Sequence, residues 1–85
     1  MSWNFKIAKR VLKEVKGFPE KDAQRLLFIL EEMVKNPYRG DIEKIRGKEN
    51  VWRRRVNSYR ILYEIFPKQK FIWIFDIKRR TTTTY

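Results

Sequence analysis

The sequence predicts an α+β fold in the order β-α-α-β-β-β, a small antiparallel sheet with two N-terminal helices packed on one face. Three observations predict it. Apolar residues recur at helical spacing between Ala8 and Val34. Three later runs, 51–56, 59–65 and 71–79, are rich in β-branched and aromatic residues. Only short stretches separate those runs, which favours a meander over crossover connections. With 85 residues the chain is read as one domain, 1–85, burying roughly 60–65% of the surface its unfolded form exposes.

Trp3, Phe5 and Ile7 alternate with Asn4 and Lys6, the period of a short first strand. From Ala8 the period changes. Ala8, Val11, Leu12 and Val15 fall on one helical face, and Gly17 is the expected stop. The second helix carries the stripe Ala23, Leu26, Leu27, Leu30, Met33 and Val34 and is expected to end at Asn36-Pro37. Phe28 and Ile29 lie outside that stripe. They serve either packing on a second side or a surface kept for a partner. Residues 37–50 combine Pro37, Gly40 and Gly47 with many charges and are expected to connect, with a short helical turn.

The last three runs can be placed in register. With Asn57-Ser58 as a two-residue turn, Val56 faces Tyr59, Arg55 faces Arg60, Arg54 faces Ile61 and Arg53 faces Leu62. Alternation then puts Arg53, Arg55, Arg60 and Leu62 on one side of the sheet, and by parity Glu64. Trp52, Val56, Tyr59, Ile61 and Tyr63 take the other side, towards the helices. A connection at Pro67–Lys70, with Phe66 opposite Phe71, sets Phe71, Trp73, Phe75, Ile77 and Arg79 on the arginine side, an assignment that an odd-length loop or a bulge would reverse.

Charge gives this face its meaning. Twenty-one Lys and Arg against 10 Asp and Glu make a net charge of +11. Residues 1–43 contribute 9 basic and 7 acidic side chains, residues 44–85 contribute 12 and 3, so the excess sits in the C-terminal half. Two guanidiniums about 4 Å apart repel by roughly 1 kcal/mol in water and about 4 at an effective dielectric of 20. A bound anion reverses that sign, and the guanidinium fork suits phosphate. Flanking aromatics (Tyr59, Trp73, Phe75 and Tyr85) point to RNA, whose exposed bases stack on rings. The bland alternative is a solubility surface whose long side chains splay into water.

With no cysteine and no histidine, there is no thiolate nucleophile, no disulfide and no imidazole base. Any catalysis must use Arg, Lys, Tyr, Glu or Asp. No apolar run of about 18 residues points to a membrane, and the cytoplasm is the default expectation.

Ile45-Arg46-Gly47, the block Val51-Trp52-Arg53-Arg54-Arg55-Val56, the block Tyr59-Arg60-Ile61-Leu62-Tyr63-Glu64-Ile65 and the ending Ile77-Lys78-Arg79-Arg80 with Tyr85 carry a family likeness over nearly the whole chain. The sequence resembles the RelE/ParE superfamily of toxins of type II toxin–antitoxin pairs, on its RelE-like branch. The resemblance implies a metal-independent, cofactor-free endoribonuclease that cuts mRNA in the A site of a 70S-type ribosome. In it the 2′-hydroxyl attacks the adjacent phosphate. By position, the resemblance implies that Arg53 and Arg55 bind the backbone, with Lys78 and Arg80 beside them. It implies further that Arg60 stabilises the phosphate, that Arg79 stabilises charge or protonates the leaving oxygen, and that Tyr85 acts as base or stacks on mRNA. The implied partner is an acidic, RelB-like antitoxin, for which Phe28 and Ile29 are candidate contacts.

Arg54 departs from the pattern, since the family has an aliphatic residue there facing the helices. It is expected to snorkel or pair. A tyrosine base is credible only inside the arginine cluster. Lowering a phenol from about 10 to about 7 needs around 4 kcal/mol, which two or three guanidiniums at about 5 Å can supply. Glu64 is a second candidate base, though an ion pair is its simpler role. Two other functions stay open: a ParE-like toxin that binds DNA gyrase, and an RNA- or ribosome-binding module without chemistry.

Overall fold

The computed structural model describes residues 3–79. The chain runs β1 (Asn4–Ile7), α1 (Lys9–Lys16), α2 (Glu20–Lys35), β2 (Ile42–Lys44), β3 (Val51–Val56), β4 (Tyr59–Phe66) and β5 (Phe71–Arg79). These strands form one sheet in the order β1-β5-β4-β3-β2. The β3-β4-β5 meander is antiparallel, and the pairing of β3 with β4 is the one that alternation predicts, from Val56 opposite Tyr59 to Trp52 opposite Tyr63.

The sheet differs from expectation in two ways. β1 lies parallel to β5, so the sheet is mixed rather than antiparallel. The segment expected to be a connection contains β2, which adds an antiparallel edge to β3. Three residues are too few to show a period, and the direction of β1 is fixed by a long-range pairing that local pattern does not carry.

Both helices cover one face of the sheet. Val11 of α1 and Leu26, Ile29, Leu30 and Met33 of α2 pack against Val56, Tyr59, Ile61, Tyr63, Ile65, Ile72, Ile74 and Ile77. Each fully buried aliphatic side chain contributes about 1.5–3 kcal/mol. Residues 26, 29, 30 and 33 are the i, i+3, i+4, i+7 set of one helix face. The stripe is therefore rotated from the one expected: Ile29 belongs to the core, whereas Leu27 and Phe28 are 59% and 52% exposed. Because 27, 28 and 29 are all apolar, the sequence does not by itself choose among them. α2 also suits its dipole, with Glu20 and Asp22 in the first turn and Lys35 in the last.

Arg54 does pair, as its core-facing position demands. It is 8% exposed, and it donates from Nη1 to the Arg39 carbonyl at 3.1 Å and from Nη2 to Glu32 Oε1 at 3.2 Å. Gly40, at φ +101°, lies so close to this guanidinium that a Cβ would meet it. Nearby, the Tyr63 hydroxyl donates to the Pro37 carbonyl at 2.8 Å.

One irregularity positions the site. β4 and β5 pair in one register from Phe66–Phe71 to Tyr63–Ile74, then shift, so that Leu62 faces Asp76 and Phe75 is left over. This bulge reverses the alternation of everything after it. Arg10 of α1 covers it, donating from Nη2 to the Phe75 carbonyl at 3.0 Å and lying 3.5 Å from Asp76 Oδ1. Among the described residues no helix is long and apolar enough to cross a membrane.

Candidate nucleic-acid interface

The face of the sheet turned away from the helices collects the basic side chains in rows that run across the strands. Arg55 of β3 is opposite Arg60 of β4, which is opposite Lys78 of β5. Cross-strand neighbours of this kind have Cβ atoms about 4.5–5.5 Å apart, so three cations stand in a line. In the next row, Glu43 is opposite Arg53, Arg53 opposite Leu62 and Leu62 opposite Asp76. Arg53 pairs with Glu43, and Arg55 Nε lies 4.0 Å from Asp41 Oδ2.

Beyond Leu62, the next outward position after Arg60 on β4, the face becomes apolar. A groove of about 760 Å³ is lined by Ile45, Val51, Leu62, Trp73 and Phe75, with Glu64 and the Lys48–Asn50 turn at its rim. A charged row beside an aromatic groove can hold a phosphodiester backbone on one side and apolar or stacked rings on the other.

The predicted site residues divide accordingly. Arg53, Arg55, Arg60 and Lys78 share the outer face, as does Glu64. Arg79 does not, which corrects the expected alternation. The bulge turns Ile77 into the core, 2% exposed, and sets Arg79 opposite Tyr59 on the helix side. Its guanidinium carbon is 5.8 Å from the centroid of the Tyr59 ring, whose other neighbour is Phe18 at 4.8 Å. Arg80 and Tyr85 lie outside the described residues. Phe28 is exposed on α2, but Ile29 is enclosed in the core and offers no contact surface.

Tyr59 illustrates the chemistry of that second side. Its hydroxyl donates to Asp22 Oδ2 at 2.7 Å. Burial raises its pKa above the usual phenol value, as does the Asp22 hydrogen bond, and the nearby Arg79 charge offsets part of the rise. Tyr59 is thus a structural phenol, held protonated. Tyr63 is raised further, again chiefly by burial.

Asp41, Glu43 and Ile45 border the basic face and were missed by sequence reasoning. Their segment has the composition of a connection, and only the position of β2 beside β3 brings them there. The described residues contain no group of three or more carboxylates arranged to hold a metal ion.

Comparison with known proteins gives a consistent result. Residues 5–83 match the family described as the ParE toxin of the type II toxin–antitoxin system parDE. The RelE1 protein of Methanocaldococcus jannaschii, named as a toxin, is 31% identical over 83 residues, covering 94% of this chain and 92% of that one. Among solved structures, the archaeal RelE–RelB complex from Pyrococcus horikoshii matches with a TM-score of 0.84 at 27% identity, over 98% of this chain and 100% of the matched one. The isolated Escherichia coli RelE toxin shares the fold, with a TM-score of 0.81 over 95% of this chain and 87% of that one, at 17% identity. Family match, relative and fold agree that this chain belongs to the RelE/ParE superfamily of toxins of type II toxin–antitoxin systems.

Proposed function

We propose that the protein is a RelE-type toxin that cleaves mRNA on the ribosome, with the outer sheet face as its RNA site. The observation that carries this reading is the row Arg55–Arg60–Lys78 across three adjacent strands, next to an aromatic groove. In the reaction the substrate's 2′-oxygen bonds to phosphorus and the P–O5′ bond breaks. The 2′ proton goes to a base and O5′ gains one. The products are a 2′,3′-cyclic phosphate and a 5′-hydroxyl, and no water is consumed. The protein's contribution is to hold the phosphodiester and to stabilise the extra negative charge on phosphorus, the task for which clustered guanidiniums fit.

In this reading Arg60, in the middle of the row, meets that charge, and Arg53, Arg55 and Lys78 hold the flanking backbone. The family likeness gives Arg79 a catalytic role; its position against Tyr59 favours Lys78 for the β5 contribution instead. Tyr85 keeps, by likeness, the role of base or stacking ring, Glu64 stands as the alternative base, and Arg80 is a further phosphate contact. The relatives from P. horikoshii and M. jannaschii occur as RelB–RelE complexes. By the same likeness this chain is held in check by an antitoxin, and a net charge of +11 favours an acidic binding segment.

The matched family is named for ParE toxins, so gyrase inhibition is the second reading. One experiment separates the two. Transcript 5′ ends are mapped, and DNA breaks scored, after brief expression and with purified protein on programmed ribosomes. Codon-registered cuts on the ribosome, with free RNA nearly untouched, support the nuclease. Broken DNA with intact mRNA supports the gyrase reading and overturns the nuclease, and neither lesion leaves a binding module without chemistry.

A further inference from the structure

The basic face is not equally open along its length. At the β2 edge, Glu43 is the register partner of Arg53, and Arg53 Nη2 donates to Glu43 Oε1. Two positions further along, past the Ile42–Arg54 pair, the Arg55 backbone N–H donates to the Asp41 carbonyl at 2.9 Å, and the Asp41 carboxylate lies 4.0 Å from Arg55 Nε. With Ile42 these four side chains enclose a small cleft of about 160 Å³. Both carboxylates are mostly exposed, at 67% and 70%. Arg60 and Lys78 make no ion pair among the described residues. On this face Arg53 is therefore engaged by a carboxylate and Arg55 is approached by one, whereas Arg60 and Lys78 have no carboxylate partner among the described residues.

We infer that Glu43 and Asp41 are specificity-determining residues that compete with RNA phosphate for Arg53 and Arg55. The inference rests on reading this face as the RNA site. A single phosphate can settle on Arg60 and Lys78 at no loss of an existing pair. Recruiting Arg53 and Arg55 as well requires displacing two carboxylates, which only a backbone presented in register across the whole face repays. The carboxylates thereby weaken binding to passing polyanions while leaving the arginines ordered for the right one. Exposed pairs of this kind are weak enough to exchange, each worth roughly a 1.4- to 5-fold change in an equilibrium.

The test is binding of a single-stranded 2′-O-methyl RNA oligonucleotide, which lacks the attacking hydroxyl, by fluorescence anisotropy over a series of KCl concentrations. The double variant Asp41→Asn/Glu43→Gln is expected to bind roughly 2- to 25-fold tighter. Its salt dependence should steepen by about 1.4 in log–log slope, two further phosphates at about 0.7 each. Glu43→Gln alone should give about half that change in slope. A control of equal charge change, Glu20→Gln/Glu31→Gln on exposed positions of α2, should leave the slope as in the wild type. Adding Arg53→Ala and Arg55→Ala to the double variant should remove its gain. If wild type and double variant bind with one slope, or if the α2 control gains as much, the competition is overturned while the RNA reading stands. If no version binds the oligonucleotide even at low salt, the competition is overturned, and cleavage on programmed ribosomes decides the RNA reading separately.

Discussion

Lys78 lies directly across from Arg60, while the next residue, Arg79, rests over the ring of Tyr59 on the opposite side of the sheet. One extra residue in β5, at Phe75, produces this exchange. Without it, the alternation that holds from Phe71 to Ile74 would have continued, with Ile77 and Arg79 facing outward and Lys78 inward. The two adjacent cations therefore belong to different environments, one facing the candidate RNA site and one bracing the core.

Substitution should separate them. Lys78→Ala should reduce the salt slope of RNA binding by about 0.7 and leave thermal stability within about 0.5 kcal/mol. Arg79→Ala should do the reverse, losing a cation–aromatic contact of about 0.5–1 kcal/mol with the slope unchanged. Melting curves and anisotropy titrations on the two variants decide it. A larger loss of binding for Arg79→Ala would show that its side chain reaches the outer face when RNA is bound.

Which parts of this were legible beforehand follows from the range of the signals. The β3–β4 register could be read because Asn57-Ser58 is a two-residue turn and apolar alternation on both sides locks it. Arg53, Arg55 and Arg60 then fall on one face by arithmetic. The bulge could not be read: Phe75, Asp76 and Ile77 are compatible with either parity, and the choice is made by burying Ile77 and by Arg10 reaching across from α1. The carboxylates of β2 were hidden for a related reason, since three residues acquire their role only through a neighbour strand. Leu27, Phe28 and Ile29 were ambiguous because consecutive apolar residues leave the phase of a helix undetermined.

Gly40 should tolerate no side chain. A Cβ there would lie 2.6 Å from Arg54 Cζ, and φ at +101° is itself strained for any other residue. Gly40→Ala should destabilise by about 1–3 kcal/mol. In an Arg54→Leu background, where the guanidinium is gone, the steric part should disappear and only the backbone part remain. Urea denaturation of the single and double variants measures the coupling, and equal costs in both backgrounds would deny the contact.

Stability should fall in alkali for an identifiable reason. Tyr59 and Tyr63 have pKa values raised in the folded state, chiefly by burial. Below the unfolded phenol value of about 10, both states hold the proton and the contribution is intact. Above it the unfolded chain ionises first, so stability declines as pH rises towards the folded values, by up to about 1.4 kcal/mol per pH unit for each tyrosine. Tyr63→Phe should lower stability at neutral pH, through the lost bond to the Pro37 carbonyl, yet flatten the alkaline decline. Urea midpoints from neutral pH to about pH 11 compare the slopes, and an unchanged slope in the variant would assign the decline to other groups.

Phe28 and Ile29 are adjacent in sequence and should behave as opposites. Ile29 is 6% exposed and packed among Leu26, Leu30 and the sheet, so Ile29→Ala should cost about 2–4 kcal/mol through lost burial and the cavity left behind. Phe28 is half exposed and borders Leu27, more exposed still. Removing it should leave the fold within about 0.5 kcal/mol of wild type. If an antitoxin covers this face of α2, Phe28→Ser will weaken the complex by about tenfold or more, the scale of a buried aromatic anchor. Arg10→Ala, on α1, makes a useful contrast because it removes a polar contact and no apolar surface. Calorimetry of each variant with the cognate antitoxin supplies the comparison. Phe28→Ser binding as tightly as wild type would place the antitoxin on another surface, the basic face being the next one to probe.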